Sequence, residues 1–171
     1  MSDVPVDSFR FTGRTIKQII LKAIDDMVPR PDTPWAPVHK PLSESRVALL
    51  TTAGISMKDD KPFDMDGERA NPTWGDPGWR RVARDTTAHD VEVNHLHIDT
   101  QYIRRDINVA LPLARLQVLA VEGVVGESAP QHYSIMGFQG NDASTLENVS
   151  GPEIAAAMKS DKVDLALLAP V

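Results

Sequence analysis

His95, His97 and Asp99, spaced by two, are the first side chains of this 171-residue chain whose types and spacing could do chemistry. They close the alternating run Val91 to Asp99, and on a strand all three would point to one face. Two imidazoles and a carboxylate so arranged can hold a divalent ion such as zinc, and a bound metal makes hydroxide at neutral pH. Such centres need three or more ligands, and the other candidates, His89, Asp106 and His132, stand at no fixed distance in the sequence. A hydrogen-bonded pair of His95 and Asp99 at a strand end is therefore favoured over a metal, with a metal-dependent hydrolase on His95, His97 and Asp99 kept as the alternative.

Asp106 and Asn108 stand just before a helical pattern, where short polar side chains cap free N–H groups or leave them to an anionic substrate; capping is the commoner use. The acidic run Asp64 to Glu68 is too short for a calcium loop. No P-loop, G-x-S-x-G elbow or G-x-G-x-x-G is present, so a nucleotide fold with its own cofactor has no support. With no cysteine, the sequence has no disulfide, zinc thiolate, iron–sulfur cluster or thiol nucleophile of its own. A net charge of −6 without a basic stripe argues against nucleic acid or an anionic membrane as partner. No apolar run reaches the roughly 20 residues that span a bilayer, and the cytoplasm is the expected compartment.

The elements that must position these residues follow from periodicity. Ile16, Ile19, Ile20, Ala23, Ile24 and Met27 recur at helical spacing, with Thr12 as N-cap and Pro29 as stop. Pro29, Pro31, Pro34, Pro37 and Pro41 then impose an extended connector. Residues 1–42 are thus expected to form a helical arm with a proline-rich connector, and residues 43–171 an α/β domain. Arg46 to Thr52 reads as a buried parallel strand leaving through Ala53-Gly54, which puts Thr51, Thr52 and Gly54 at the carboxyl end of a strand, where open α/β sheets bind ligands. Ser56 to Trp79 shows no period and reads as a lid or an ordered surface loop.

A second helix opens at Leu111-Pro112, with Leu113, Leu116, Leu119 and Ala120 on one face and Gly123 as stop. His132 to Phe138 reads as a strand or strand-to-loop junction. Ser150-Gly151-Pro152-Glu153 reads as a capping box for a third helix with Ile154, Ala157 and Met158 inward. Val163 to Leu168 is a last apolar strand. The expected class is α/β, a doubly wound, mainly parallel sheet with helices on both faces. Its sequence stops at Ala169-Pro170-Val171, where such a fold would place a functional loop and a covering helix, so the domain is expected to be incomplete there.

Taken in order, several stretches resemble the selenoprotein B family of glycine, sarcosine, betaine and D-proline reductases. They are Arg46 to Gly54; His95 with Asp99-Thr100; Asp106-Ile107-Asn108; Pro112 and the helix to Glu122-Gly123-Val124-Val125-Gly126; Tyr133 to Gly137; and Asp161 to Val171. The resemblance covers most of the chain from about Arg46 onward. It implies one subunit of a selenol- or thiol-dependent reductase that cleaves a C–N bond of an amine or amino-acid substrate. In that family the last strand leads into a selenocysteine or cysteine, so such a residue is expected after Val171, with termination at a UGA codon, a designed truncation or a natural split as routes to this ending. A pyruvoyl group is expected on a partner subunit, and this polypeptide alone should be inactive. The resemblance assigns His95 to proton transfer with Asp99 orienting it, and Asn108 and Tyr133 to substrate positioning; Thr51 and Thr52, at the strand end, are the other expected substrate-binding residues. Self-association is left open, and a non-catalytic interaction domain using the N-terminal helix is the third reading.

Overall fold

The computed structural model describes residues 9–10, 12–25, 36–96, 98–140 and 142–171. The chain divides into two compact units at Pro37/Val38. In the first, the expected helix spans Arg14–Asp25 (α1), with Ile16, Ile19, Ile20 and Ile24 exposed. Met27, Pro29, Pro31 and Pro34 lie outside the described residues.

The second unit is a mixed, mainly parallel sheet with helices. Its centre is β1 (Arg46–Thr51), paired in parallel with β5 (Glu127–Ser128) and β6 (Gln131–Ile135) on one side and β7 (Leu165–Ala169) on the other. Strand β3 (Trp79–Ala83) runs antiparallel to β6. A separate antiparallel pair joins β2 (Ile55–Met57) to β4 (Val91–Val93). The helices are α2 (Met65–Ala70), α3 (Gln101–Arg105), α4 (Leu113–Val121) and α5 (Gly151–Ser160).

Because side chains alternate along a strand, β1 feeds two cores. Val47 and Leu49 pack with Ile103, Leu113 and Leu116, so α3 and α4 cover one face. Ala48 and Leu50 pack with Tyr133, Ile135 and Ile154, with Ala157 and Met158 of α5 against them, which is the inward face expected for this helix. Full burial of a side chain such as Leu49 is worth roughly 1.5–3 kcal/mol. Gly123, at φ 73°, closes α4 as expected, and Val124 N–H returns to Leu119 O at 2.9 Å.

Several expectations need correction. The segment from Ser56 to Trp79 is not one structureless loop, because it contains most of β2 and all of α2, and Phe63 is buried beneath the Arg80 guanidinium at 4.3 Å. Ser150 does not cap α5. A π-helical turn over Leu146–Ser150 runs directly into α5, so Ser150 is already helical; its hydroxyl donates to Pro77 O, while Glu153 accepts the Trp79 indole N–H at 2.8 Å. The strand expected to carry His95 to Asp99 ends at Val93.

Pro130 separates β5 from β6 and leaves β1 without a continuous neighbour on that side. Ala129 N–H bonds Val47 O at 2.8 Å, but the next inward amide of β1, Leu49 N–H, has a side chain as its acceptor: His132 Nδ1 at 2.9 Å. With Nδ1 accepting, the ring proton resides on Nε2, which lies 3.2 Å from Ser128 Oγ. The imidazole thus takes the place of a backbone carbonyl. Burial, aided by the Arg84 charge, lowers its pKa to about 4, which keeps the acceptor lone pair available.

Since the native pKa lies below the unfolded value of 6.5, this contribution is present above pH 6.5 and is lost as pH falls toward 4, at most about 3 kcal/mol. His132→Ala is expected to cost about 2–4 kcal/mol at pH 7 and to flatten the stability slope between pH 6.5 and 4, measured by urea unfolding across that range.

Candidate functional site

The carboxyl ends of β1, β6 and β7 open onto a cleft of about 540 Å³ lined by Thr52, His95, Gly137, Phe138, Pro170 and Val171. Its base is rigid for reasons visible at each residue. Thr52 N–H extends the β1–β7 ladder to Ala169 O at 3.3 Å, and Gly137 N–H bonds Thr52 O at 3.0 Å. The Thr52 hydroxyl engages both backbone groups of Val171, accepting from its N–H at 2.8 Å and lying 3.3 Å from its carbonyl oxygen. The last residues of β7 are therefore tied to the end of β1.

Gly54 makes the turn out of β1. Its φ of 63° suits glycine, and a Cβ there would lie 2.2 Å from Asn94 O. Buried hydroxyls and an amide knit this turn. Thr51 Oγ1 accepts from Ala53 N–H at 3.2 Å, Ser134 Oγ accepts from Ile55 N–H at 2.8 Å, and the Asn94 side-chain amide donates to Ser56 Oγ at 2.8 Å. Ser56, Asn94 and Ser134 are contributors that sequence reasoning missed; they lie on or beside apolar strands, and only their burial marks them.

His95 lies just past β4 and lines two clefts at once, the strand-end cleft and a second one of about 580 Å³ floored by β4 between α2 and α3. Lys58, Arg69, Arg104, His89 and Glu92 also line the second. Thr52 and His95 are thus brought together at one cleft, while Thr51 lies buried directly beneath it.

The remaining expected site residues lie elsewhere. Asp99 lines neither cleft. It forms the turn into α3, accepting from Gln101 N–H at 3.1 Å and from the Gln101 side-chain amide, and these bonds hold its carboxyl below the usual range. Asn108 lines a smaller hollow of about 260 Å³ with Thr87, Arg105 and Asp106. Its side chain caps α4, Oδ1 accepting Ala114 N–H at 2.9 Å, while its amide donates to Asp106 at 2.7 Å. The bonds from Asn108 lower the Asp106 pKa. Tyr133 is fully buried against Trp79, and its hydroxyl reaches toward Asp161 at 3.5 Å. Burial and the Asp161 charge raise its pKa. Arg46, at the start of β1, donates to the Asp161 carbonyl, so the phenol points to the end of the sheet opposite Thr52.

His97 lies outside the described residues. Among those described, no three His, Asp or Glu side chains group as metal ligands, and His132 is committed to Leu49. With β4 ending at Val93 and Asp99 turning into α3, His95 and Asp99 do not share a strand face, and the metal-hydrolase alternative is not favoured. No described helix is long and apolar enough to cross a membrane.

Comparison with known proteins agrees with the geometry. Residues 23–170 match the family model described as glycine/sarcosine/betaine reductase selenoprotein B. The chain is 34% identical over 152 residues to the D-proline reductase subunit gamma of Acetoanaerobium sticklandii, covering 87% of this chain and 59% of that protein. It is 28% identical over 139 residues to the glycine reductase complex component B subunit gamma of Carboxydothermus hydrogenoformans, covering 79% of this chain and 30% of that protein. The chain therefore spans under two thirds of each of these relatives. No solved structure matches it significantly. With the match running across the central strand, the strand-end cleft and β7, the chain belongs to the glycine/sarcosine/betaine reductase selenoprotein B family.

Proposed function

We propose that this chain is a subunit of a selenol- or thiol-dependent reductase that adds two electrons and two protons across a C–N bond of an amine or amino-acid substrate. The observation that carries this reading is the cleft at the carboxyl ends of β1, β6 and β7, where Thr52 fixes Val171 beside His95. Family membership supports it, as do two relatives named as subunits of D-proline and glycine reductases.

The chain has no cysteine, so the reducing atom has to come from a residue joined after Val171 or from another polypeptide. The local structure suits either source, because Thr52 holds both backbone groups of Val171 at the mouth of the cleft. A selenolate or thiolate there would supply the nucleophile for the carbon of the C–N bond, with a second thiol returning the pair to its oxidised dichalcogenide form. A pyruvoyl group on a partner subunit would hold the substrate nitrogen.

This chain's own residues have narrower tasks. His95 gives a proton to the departing nitrogen and stabilises the reactive anion when protonated. Thr52 sets the position of the chain that enters the cleft. Thr51 supports Thr52 from below through its bond to Ala53 N–H. Asp99 and Asn108 act on the loops that carry His95 and α4, and Tyr133 acts by packing within the α5-facing core. The finer architecture belongs to the same reading: a doubly wound sheet, a helical arm with its connector over residues 1–42, and a reductase-like domain from residue 43. A reducing cytoplasm is the fitting compartment, since it keeps such a nucleophile reduced.

Reconstitution of the purified chain with the other subunits of its complex tests the proposal. Consumption of glycine, betaine or D-proline with one equivalent of dithiol per C–N bond is expected. Complex formation without amine-dependent dithiol oxidation would overturn it. In the active complex His95→Gln is expected to lower kcat by about 10²–10⁴-fold. Thr52→Val, which removes both side-chain bonds to Val171, is expected to lower kcat/KM by roughly 10–100-fold, read from initial rates.

A further inference from the structure

The second cleft at His95 carries a charge pattern opposite to that of the whole protein. Its floor is β4, and its walls come from α2, α3 and the turn after β2. Three full cations line it: Lys58 after β2, Arg69 on α2 and Arg104 on α3. Glu92 is the one carboxylate among the described lining residues. In a chain of net charge −6, this local excess of positive charge in a concave wall concentrates field where a small anion fits.

The three cations are available to a ligand. The Lys58 backbone N–H bonds Asp90 O at 3.0 Å, and its ammonium, which acts on the Asp90 carboxylate only through its charge, makes no side-chain hydrogen bond or salt bridge among the described residues. Among the described residues Arg104 uses only Nε, on Thr100 Oγ1 at 3.3 Å, which leaves its terminal nitrogens for a planar acceptor. Arg69 pairs with Asp66 at 2.7 Å, but both side chains are largely exposed, so this pair exchanges readily with a competing anion. His95 lines both this cleft and the strand-end cleft, so the two share that residue.

We propose that Lys58, Arg69 and Arg104 form a carboxylate-binding subsite, which holds the acid end of a small substrate and directs its nitrogen-bearing end past His95 toward Thr52. The direction rests on the reductase reading above; the anion site itself does not. A carboxylate suits the planar, two-point donation of arginine. The site would select amino acids over simple amines.

Binding to the full chain, followed by amide NMR titration with D-proline, D-prolinamide and acetate, decides this without any turnover. D-proline and acetate are expected to shift the amides of Glu92 to Leu96, with D-prolinamide binding at least tenfold more weakly. Lys58→Gln and Arg104→Gln are each expected to weaken D-proline by about five- to twentyfold, and Arg104→Lys to recover part of that loss. Equal affinity for D-prolinamide and D-proline would overturn the subsite, as would wild-type affinity in both glutamine variants or no shifts with any probe. Intact binding in a chain inactive in reconstituted complexes would count against the reductase reading alone.

Discussion

A single hydrogen bond from the Leu49 amide to His132 Nδ1 lets the central strand keep its place in the sheet. Pro130 interrupts the neighbour on that side, and a buried amide facing a gap would cost about 1–3 kcal/mol. The imidazole closes the gap, and the ladder resumes at Leu50–Tyr133 and Thr51–Ser134. On the other side, five consecutive residues of β1 pair with β7 from Val47–Leu165 to Thr51–Ala169. Both registers determine where Thr52, Gly137 and Val171 meet. The cleft therefore depends on a histidine buried inside the sheet.

At the opposite end of β1, Arg46 and Asp164 fix the start of the same register. Asp164 accepts from Arg46 N–H and from Lys40 Nζ, each at 2.9 Å, and these bonds hold its carboxyl below the usual range. Arg46 Nε reaches Glu127 at 2.8 Å across to β5. The exposed ion pairs add little individually, but the bonds to main-chain N–H place β7 against β1 without relying on them. Beyond β1, β7 has no described neighbour on its outer edge, and Leu167 and Leu168 are 50% and 65% exposed.

The elements that periodicity could reach were legible: β1, β7, α4 and the inward face of α5 each have a continuous apolar pattern. The short elements β2, β3, α2 and α3 were not, because segments of three to six residues carry too little pattern to separate from a loop. The strand-end rule pointed to Thr52 and the spacing of the histidines pointed to His95, and the structure sets both residues at one cleft. His95 and Asp99 do not share a strand face because β4 ends at Val93, and Asp99 satisfies local N–H groups as short acidic side chains often do. His132 could not be found from sequence, since only the three-dimensional gap at Pro130 gives it a task. Lys58, Arg69 and Arg104 lie on three separate elements, and only the fold gathers them.

In the proposed function, His95 and Thr52 prepare the strand-end cleft for a reducing nucleophile. Appending a cysteine directly after Val171, followed by a short Gly-Ser tail, and measuring its alkylation rate against pH tests this most directly. The expected result is a thiol pKa below the ordinary value of about 8.5, returning toward it in His95→Gln. An ordinary pKa, identical in both proteins, would contradict it.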